Sequence, residues 1–297
     1  MPIVVQTQSL TKRYGDVTAL DALTLEVQQG EVLGYLGPNG AGKTTTIRLL
    51  LGLIKATQGS ATIFGLNAQT QKEEVHKRLA YVPGETTLWP NLTGAETLHL
   101  LGQVHGSFDK GYRDKLTEAF QFDPSKKVRA YSKGNRQKLS LIAAFMTRPD
   151  LLLLDEPTSG LDPLMEQVFH AQVLEAKKNG QTIFLSSHIL SEVEALCDRV
   201  AILRTGKLVE IGTLEQARHL SALTVEATFT GKAPDVSAIK NVKNVEVTEH
   251  HLHCQVHGSM EDLLEVLGKA HVTKLISREP SLEELFLSLY GDSNGHH

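Results

Sequence analysis

The sequence has little that would suit a secreted or membrane-spanning protein. Two cysteines occur among its 297 residues, Cys197 and Cys254, and both stand in apolar patterns far apart in the chain. Buried reduced thiols of a cytosolic protein are therefore a better expectation than a disulfide. No apolar run approaches the roughly 18–20 residues that a helix needs to cross a bilayer. We expect any role at a membrane to depend on a partner protein.

A strong charge of either sign is missing as well. The 30 basic and 34 acidic residues leave a formal net charge of -4. Bulk electrostatics therefore gives no reason to expect nucleic acid as a partner. The first residues, MPIVV, place no basic segment ahead of their apolar run, which argues against a signal peptide. The chain length suggests about two domains of roughly 150 residues each.

The most informative motif present is a glycine-rich loop at residues 37–44. It reads GPNGAGKT and matches G-x-x-x-x-G-K-[ST] between an apolar strand pattern and a helix pattern. The glycines let backbone N–H groups surround a phosphate, and the following helix directs its positive end at the same anion. Lys43 can reach the β- and γ-phosphates, and the Thr44 hydroxyl can ligate Mg²⁺. The loop predicts a nucleoside triphosphate site formed by Gly37, Pro38, Asn39, Gly40, Ala41, Gly42, Lys43, Thr44 and Thr45.

A second motif places two carboxylates after a buried strand. Residues 151–154 are four consecutive leucines, followed by Asp155 and Glu156. Ligands of open α/β sheets bind at the carboxyl ends of the strands. We therefore predict that Asp155 holds Mg²⁺, directly or through water, and that Glu156 polarises the attacking water.

The apolar periodicity predicts two domains. Strands alternate with helices in much of the first, which favours a parallel sheet covered on both faces. Its predicted strands are 4–8, 20–27, 32–36, 60–63, 151–154, 182–186 and 200–204, and its helices are the one after the loop, 97–101, 113–120, 136–146, 164–178 and 190–196. A small α+β domain follows, with strands 223–229, 245–247, 252–256 and 272–276 and helices 260–267 and 282–289. We place the domains at 1–217 and 221–297, with a helical subdomain at about 85–149.

The order and spacing of these motifs resemble the nucleotide-binding subunit of ABC transporters over about residues 3–217. The resemblance implies an α/β phosphate-loop cassette: a parallel core sheet, further antiparallel strands and a helical subdomain. It also implies ATP and Mg²⁺ as cofactors, and ATP hydrolysis in which Glu156, His188 and Lys43 are catalytic. Tyr14 matches the aromatic residue that stacks on adenine, and His188 matches the switch histidine at the γ-phosphate. Residues 159–162, SGLD, match the D-loop, which ends at Asp162.

The family signature L-S-G-G-Q is matched by YSKGN at residues 131–135. In the family, this motif acts on the nucleotide held by a second subunit. The resemblance therefore implies a dimer in which one protomer offers Ser132, Lys133, Gly134 and Asn135 to its partner. Whether that partner is a second copy or a different cassette stays open. A separate polytopic permease is the other implied partner, which would hold the protein at the cytoplasmic face of the membrane.

One position departs from the family pattern. Gly84 stands where a glutamine usually contacts Mg²⁺ and water, and glycine has no side chain to do so. Glu85 is the next residue and is a candidate to reach the metal instead. The alternative is that this loop only bends toward the membrane partner. Lys133 for glycine and Asn135 for glutamine are milder departures.

The C-terminal segment 279–286, EPSLEELF, resembles the ending of ATPase subunits from ABC-2-type multidrug and antibiotic exporters. The main interpretation is therefore an ATPase that powers export and supports antibiotic resistance. The alternative is a non-transport ABC ATPase that acts as a regulator or on ribosomes. The C-terminal domain is also open to the simpler interpretation of a dimer-stabilising appendage.

Overall fold

The computed structural model describes residues 2–106, 108–219, 223–231, 233–237, 239–256 and 258–278. The chain divides into two compact units, one ending at Ile211 and the other beginning at Gly212. The predicted helix at 282–289 lies outside the described residues. Within the described part of the chain, no helix combines the length and the apolar character needed to span a bilayer.

The first unit contains most of the described helices and strands. In chain order these are β1 (Ile3–Tyr14), β2 (Val17–Gln28), β3 (Val32–Leu36), α1 (Lys43–Leu50), β4 (Gln58–Ile63), β5 (Leu66–Asn67), α2 (Lys72–His76), β6 (Leu79–Val82), α3 (Gly94–Val104), α4 (Lys110–Ala119), a 3-10 turn (Val128–Ala130), α5 (Lys133–Phe145), β7 (Leu151–Asp155), α6 (Pro163–Lys178), β8 (Thr182–Ser187), α7 (Leu190–Leu196), β9 (Arg199–Arg204) and β10 (Lys207–Thr213).

A six-stranded sheet forms the centre of this unit, in the order β10-β9-β3-β8-β7-β6. Strand β3 runs parallel to β8 and β9, and β7 runs parallel to β6 and β8. Every residue of β3, β7 and β8 is buried, as expected for parallel strands covered on both faces. Leu36 pairs with Ser187 and Asp155 with Ser186, so the carboxyl ends of β3, β8 and β7 lie side by side.

A second sheet of the unit has the order β2-β1-β4-β5. Strands β1 and β2 pair antiparallel down to Tyr14 opposite Val17, which places Tyr14 at the end of a hairpin. Both sheets agree with the predicted cassette of parallel core strands and additional antiparallel strands. Helices α3 and α4 pack against α5 in the predicted helical region. A capping box of Thr93 and Glu96 begins α3 and satisfies its first backbone donors.

The second unit is a small α+β structure with its own apolar core. It begins with α8 (Leu214–His219) and continues with β11 (Leu223–Phe229), β12 (Val242–Val247), β13 (His251–Val256), α9 (Glu261–Gly268) and β14 (Val272–Arg278). Its antiparallel sheet has the order β12-β13-β11-β14. Cys254 lies buried in this core and Cys197 in the first unit, and both are free thiols, as predicted.

Each predicted strand or helix within the described residues coincides with an element of the same type. The ends differ, most at β1, which continues six residues past the predicted end at residue 8. Within the described residues, six short elements have no counterpart in the sequence pattern: β5, α2, β6, the 3-10 turn, β10 and α8. Segments of two to seven residues are too short to establish a periodicity, so their formation depends on neighbours in the fold.

Candidate functional site

The glycine-rich loop joins β3 to α1 in the predicted arrangement. Gly42 precedes the first residue of α1 and has φ 109°, a conformation that residues with a Cβ rarely adopt. A Cβ there would lie 2.6 Å from the carbonyl oxygen of Ala19. The loop thus needs glycine both for its backbone angle and for its close approach to β2. Helix α1 begins directly after the loop, and the first N–H groups of a helix have no partner within the helix, which suits them to bind an anion.

Lys43 is the first residue of α1 and is almost completely buried. Its ammonium donates to the carbonyl oxygens of Gly37 at 2.6 Å and Pro38 at 3.3 Å. The same Nζ atom lies 3.3 Å from Oε1 of Glu156. The lysine is therefore folded back over its own loop, where the loop carbonyls and one carboxylate partner its charge.

The acidic pair ends β7 beside the carboxyl end of β8. Ser186 donates its hydroxyl proton to Oδ1 of Asp155 over 2.5 Å. The backbone N–H of Glu156 donates to the carbonyl oxygen of Ser186 at 3.0 Å. Glu156 itself has φ 48°, a strained value for a residue other than glycine, asparagine or aspartate. The turn after β7 is thus held by β8 in a conformation that directs the Glu156 side chain toward the loop.

The three residues predicted to be catalytic come together at Glu156. Its Oε1 atom lies 3.3 Å from Nζ of Lys43 and 3.4 Å from Nδ1 of His188. The His188 side chain is 49% exposed, and that of Glu156 is 26% exposed. A carboxylate that faces two nitrogen groups at an open edge of the sheet can accept a proton or orient a water molecule.

A cleft of about 380 Å³ opens next to this cluster. Its lining combines residues of the loop, α1, the Gly84 region, the acidic pair and the signature: Asn39, Thr44, Arg48, Tyr81, Pro83, Gly84, Glu85, Lys133, Asp155, Glu156 and Ser159. Arg48 is a lining residue that sequence reasoning missed, whereas Tyr81 and Pro83 belong to the segment around Gly84 and Ser159 to the D-loop segment. Burial, helped by the nearby Asp155 carboxylate, raises the pKa of Tyr81 to about 12, so its hydroxyl stays protonated.

The loop around Gly84 runs directly against the end of β7. A Cβ at position 84 would lie 3.2 Å from the carbonyl oxygen of Asp155, a tighter approach than most side chains permit. Glu85 is exposed and lines the cleft together with Thr44 and Asp155. The side chain next to the missing glutamine thus shares a cleft with both predicted Mg²⁺ ligands.

The signature residues begin α5. Ser132 is its N-cap and accepts a hydrogen bond from the N–H of Asn135 at 3.3 Å, and Gly134 lies in the first turn. Lys133 was expected to serve the site of a second subunit, yet it also lines the cleft of its own chain. Its ammonium donates to the Ser159 hydroxyl at 2.9 Å, which ties the signature to the turn after Glu156.

Two other predicted residues lie at element ends. Asp162 is the N-cap of α6 and accepts from the N–H of Met165 at 3.0 Å. The Tyr14 ring is 47% exposed, and the ammonium of Lys12 lies 4.8 Å from its centroid. Among the described residues, Tyr14, Ser132, Gly134, Asn135 and Asp162 do not line the cleft around Glu156.

Comparison with known proteins identifies the family. A family model described as ABC transporter matches residues 20–159. The bacitracin transport ATP-binding protein BcrA of Bacillus licheniformis is 36% identical to the chain, over 98% of both proteins. The chain belongs to the ATP-binding proteins of ABC transporters. It is therefore an ATP-binding subunit with ATPase activity, as the phosphate loop and the acidic pair predict.

The chain is also similar to a second antibiotic-related protein and to a solved structure of the ABC family. The linearmycin resistance ATP-binding protein LnrL of Bacillus subtilis (strain 168) is 31% identical over 97% of the chain and 98% of its own length. A solved structure of the ATP-binding subunit of an ABC transporter superposes with a TM-score of 0.68 and 32% identity, covering 72% of the chain and 92% of that structure. The likeness to BcrA and LnrL thus includes the second unit.

Proposed function

We propose that this ABC protein supplies the energy for export of an antibiotic or another small molecule, as the cytoplasmic ATPase partner of a separate membrane permease. The contact of Glu156 with Lys43 and His188 is the observation that carries the ATPase part. The export part is supported by the names of two relatives that match nearly the full chain, one in bacitracin transport and one in linearmycin resistance. The alternative role on ribosomes or in regulation finds no comparable support among these relatives.

We assign the nucleotide contacts according to the cleft and the loop. The backbone of residues 37–45 surrounds the phosphates, and Lys43 leaves its loop carbonyls to pair with the β- and γ-phosphates. Tyr14 stacks on adenine, since its exposed ring already accepts a cation on one face. Glu156 orients the attacking water, and His188, which lies 3.4 Å from the same carboxylate, contacts the γ-phosphate.

The donor set of the cleft suits Mg²⁺, which prefers hard oxygen ligands and retains several waters. The Thr44 hydroxyl and the Asp155 carboxylate would hold the ion, with Ser186 fixing the orientation of the carboxylate. When bound, Mg²⁺ neutralises charge that develops on the β- and γ-phosphates. Glu85 is our candidate to replace the missing glutamine at this ion.

We predict that Glu85→Gln weakens activation by Mg²⁺. A carboxylate attracts the ion or its water shell far more strongly than a neutral amide does, so the Mg²⁺ concentration for half-maximal ATPase activity rises about threefold to tenfold. ATP binding measured without divalent ions stays unchanged. The matched control is Glu118→Gln on α4, an exposed acid outside the cleft. An unchanged Mg²⁺ dependence in Glu85→Gln would support the other interpretation, a loop that only faces the permease.

We propose that two such subunits close on ATP with each signature facing the partner's nucleotide. The chain has one phosphate loop and one signature, and Ser132 lies exposed at the N-terminus of α5, where helix N–H groups favour an anion. Binding of the γ-phosphate orders the pair, and hydrolysis releases it. Either a second copy of this chain or a related cassette fits this arrangement.

A large apolar groove in the first unit supports the permease part of the proposal. It has a volume of about 590 Å³ and is lined by Leu51, Leu53, Glu73, His76, Lys77, Leu79, Ala80, Tyr81, Pro83, Thr86, Thr87, Leu88, Leu101, Val104, His105, Ser140, Ala143, Ala144 and Thr147. Val104 is 77% exposed at its edge. The groove shares Tyr81 and Pro83 with the ATP cleft, so a permease segment bound there would lie next to the nucleotide site.

We predict that Val104→Glu separates transport from ATP hydrolysis. A charge in the groove opposes the burial of apolar surface, so co-purification with the permease falls at least about tenfold. Cells that carry only this variant become as antibiotic-sensitive as cells without the protein. ATPase activity of the isolated subunit stays within about twofold, because Val104 lies outside the cleft. Leu174→Glu, at another exposed apolar position on α6, is the control and preserves both binding and resistance.

Permease binding and resistance that survive in Val104→Glu would argue against this docking site. Unchanged antibiotic sensitivity on deletion of the protein, together with co-sedimentation with ribosomes, would favour the alternative function. A polytopic protein that co-purifies with the wild-type chain supports transport.

A further inference from the structure

Glu192 is a buried acid that the assignments above leave without a function. It lies on α7, four residues after His188, and is 3% exposed. Its Oε2 atom accepts a hydrogen bond from the Ser187 hydroxyl over 2.5 Å. Its Oε1 atom is buried and has no hydrogen-bond partner among the described residues. A buried carboxylate that is only half satisfied costs stability, so stability alone does not account for an acid at this position.

The hydrogen bond to Ser187 controls the turn that contains His188. The Ser187 hydroxyl donates to Glu192 and accepts from the backbone N–H of Ile189 at 3.0 Å. A hydroxyl can donate one hydrogen bond. Because the Ser187 hydroxyl donates to Glu192, its oxygen lone pair is oriented to accept from the N–H of Ile189. The Ser187 hydroxyl thus links the residues before and after His188, Ser187 and Ile189, and its hydrogen bond to Glu192 determines its orientation.

Glu192 also faces the segment that follows Glu156. Burial raises the pKa of Glu192 to about 7, although the hydrogen bond from the Ser187 hydroxyl and the nearby Thr158 hydroxyl favour the charged form. The carboxylates of Glu166 on α6 and of Glu156 raise this pKa further. Thr158 is buried two residues after Glu156, and its carbonyl accepts from the N–H of Leu161. The Glu192 side chain therefore borders both the turn that contains His188 and the segment after Glu156.

We propose that Glu192 is a positioning residue for ATP hydrolysis, which holds the His188 turn and the segment after Glu156 in the arrangement that brings these two side chains together. The observed separation of 3.4 Å between His188 Nδ1 and Glu156 Oε1 is the geometry it maintains. This inference rests on the proposed roles of Glu156 and His188 and adds a residue that contacts neither nucleotide nor water. Loss of Glu192 thus slows hydrolysis without changing the affinity for ATP.

The test compares Glu192→Leu with Glu192→Gln. Leucine cannot accept the Ser187 proton, and misplacement of a catalytic group by a fraction of an ångström lowers kcat on the order of tenfold or more. The KM for ATP stays within about twofold, and the melting temperature is equal or higher because the unsatisfied acid is gone. Glutamine retains an oxygen acceptor of the same shape, so kcat stays within about threefold of wild type. Glu194→Gln, an exposed acid on the same helix, is the matched control.

A double-mutant cycle with Ser187→Ala tests whether Glu192 affects kcat through its hydrogen bond to Ser187. Ser187→Ala alone lowers kcat to a similar extent, and the combined variant is no slower than either single one, since both remove the same contact. If Glu192→Leu fails to fold, Ser187→Ala and Glu192→Gln still provide the comparison. The inference would be overturned by a wild-type kcat in Glu192→Leu or in Ser187→Ala. It would also be overturned if the two losses of kcat multiplied in the double variant, or if Glu192→Gln were as slow as Glu192→Leu.

Failure of this inference is distinguishable from failure of the proposed function. A Glu192→Leu protein at full rate contradicts the positioning role alone. A Glu156→Gln protein that still hydrolyses ATP contradicts the catalytic assignment on which that role is built.

Discussion

Replacing Glu156 by glutamine abolishes ATP turnover and leaves ATP binding intact. The carboxylate lies between Lys43 and His188 at the edge of the cleft, where it can polarise a water molecule. Glutamine has the same shape but cannot accept a proton, and loss of a general base costs on the order of 10²–10⁴ in kcat. Steady-state phosphate release measures this loss directly.

ATP affinity in Glu156→Gln is equal to that of wild type or higher. In this structure Lys43 Nζ pairs with Glu156 Oε1 at 3.3 Å, and ATP must compete for that ammonium. The neutral amide releases Lys43 for the phosphates, so nucleotide binds at least as well while the dimer cannot reopen. Size-exclusion chromatography with ATP and Mg²⁺ then detects an accumulated ATP-bound dimer.

The control for Glu156→Gln is Glu175→Gln, which replaces an exposed acid on α6. We expect this variant to hydrolyse ATP at the wild-type rate. Steady ATPase activity in Glu156→Gln would show that another group activates water. A variant that is inactive yet stays monomeric with ATP would keep Glu156 as the base but argue against closure of two subunits on the nucleotide.

Replacing Lys43 by alanine weakens ATP binding itself. The ammonium is the one side-chain cation of the loop, and it is held over the loop by the carbonyl oxygens of Gly37 and Pro38. A hydrogen bond to a charged group contributes about 1.5–3 kcal/mol, so the Kd for ATP rises roughly 10- to 100-fold. Binding of a fluorescent ATP analogue, measured at fixed salt, determines this change.

The melting temperature of Lys43→Ala distinguishes lost binding from lost folding. Alanine is a strong helix former, so the first turn of α1 remains and the protein stays folded without nucleotide. ATP then raises the melting temperature much less than in wild type, because stabilisation follows the affinity. Lys178→Ala, an exposed lysine at the end of α6, leaves affinity unchanged. An unaltered Kd in Lys43→Ala would remove this lysine from the site.

Much of the cassette could be predicted because its signals are local. The loop at residues 37–44 requires a strand before it and a helix after it, and β3 and α1 occur at those positions. The four leucines of β7 predict a strand buried on both faces, and all of them are buried. The lining role of Arg48 was missed because this residue belongs to no motif with a fixed spacing.

The sequence by itself determined the chemistry of this protein: a phosphate loop, an acidic pair and a signature, each formed by neighbouring residues whose types dictate a local backbone. The tertiary structure alone decided which of these groups meet. Strand β8 follows β7 in the chain but lies between β3 and β7 in the sheet, and this order brings Lys43, Glu156 and His188 together. The hydrogen bond of Glu192 to Ser187 joins residues only five positions apart, but its burial depends on the packing of α7 against β3, β8 and α6, which no periodicity in a single sequence predicts.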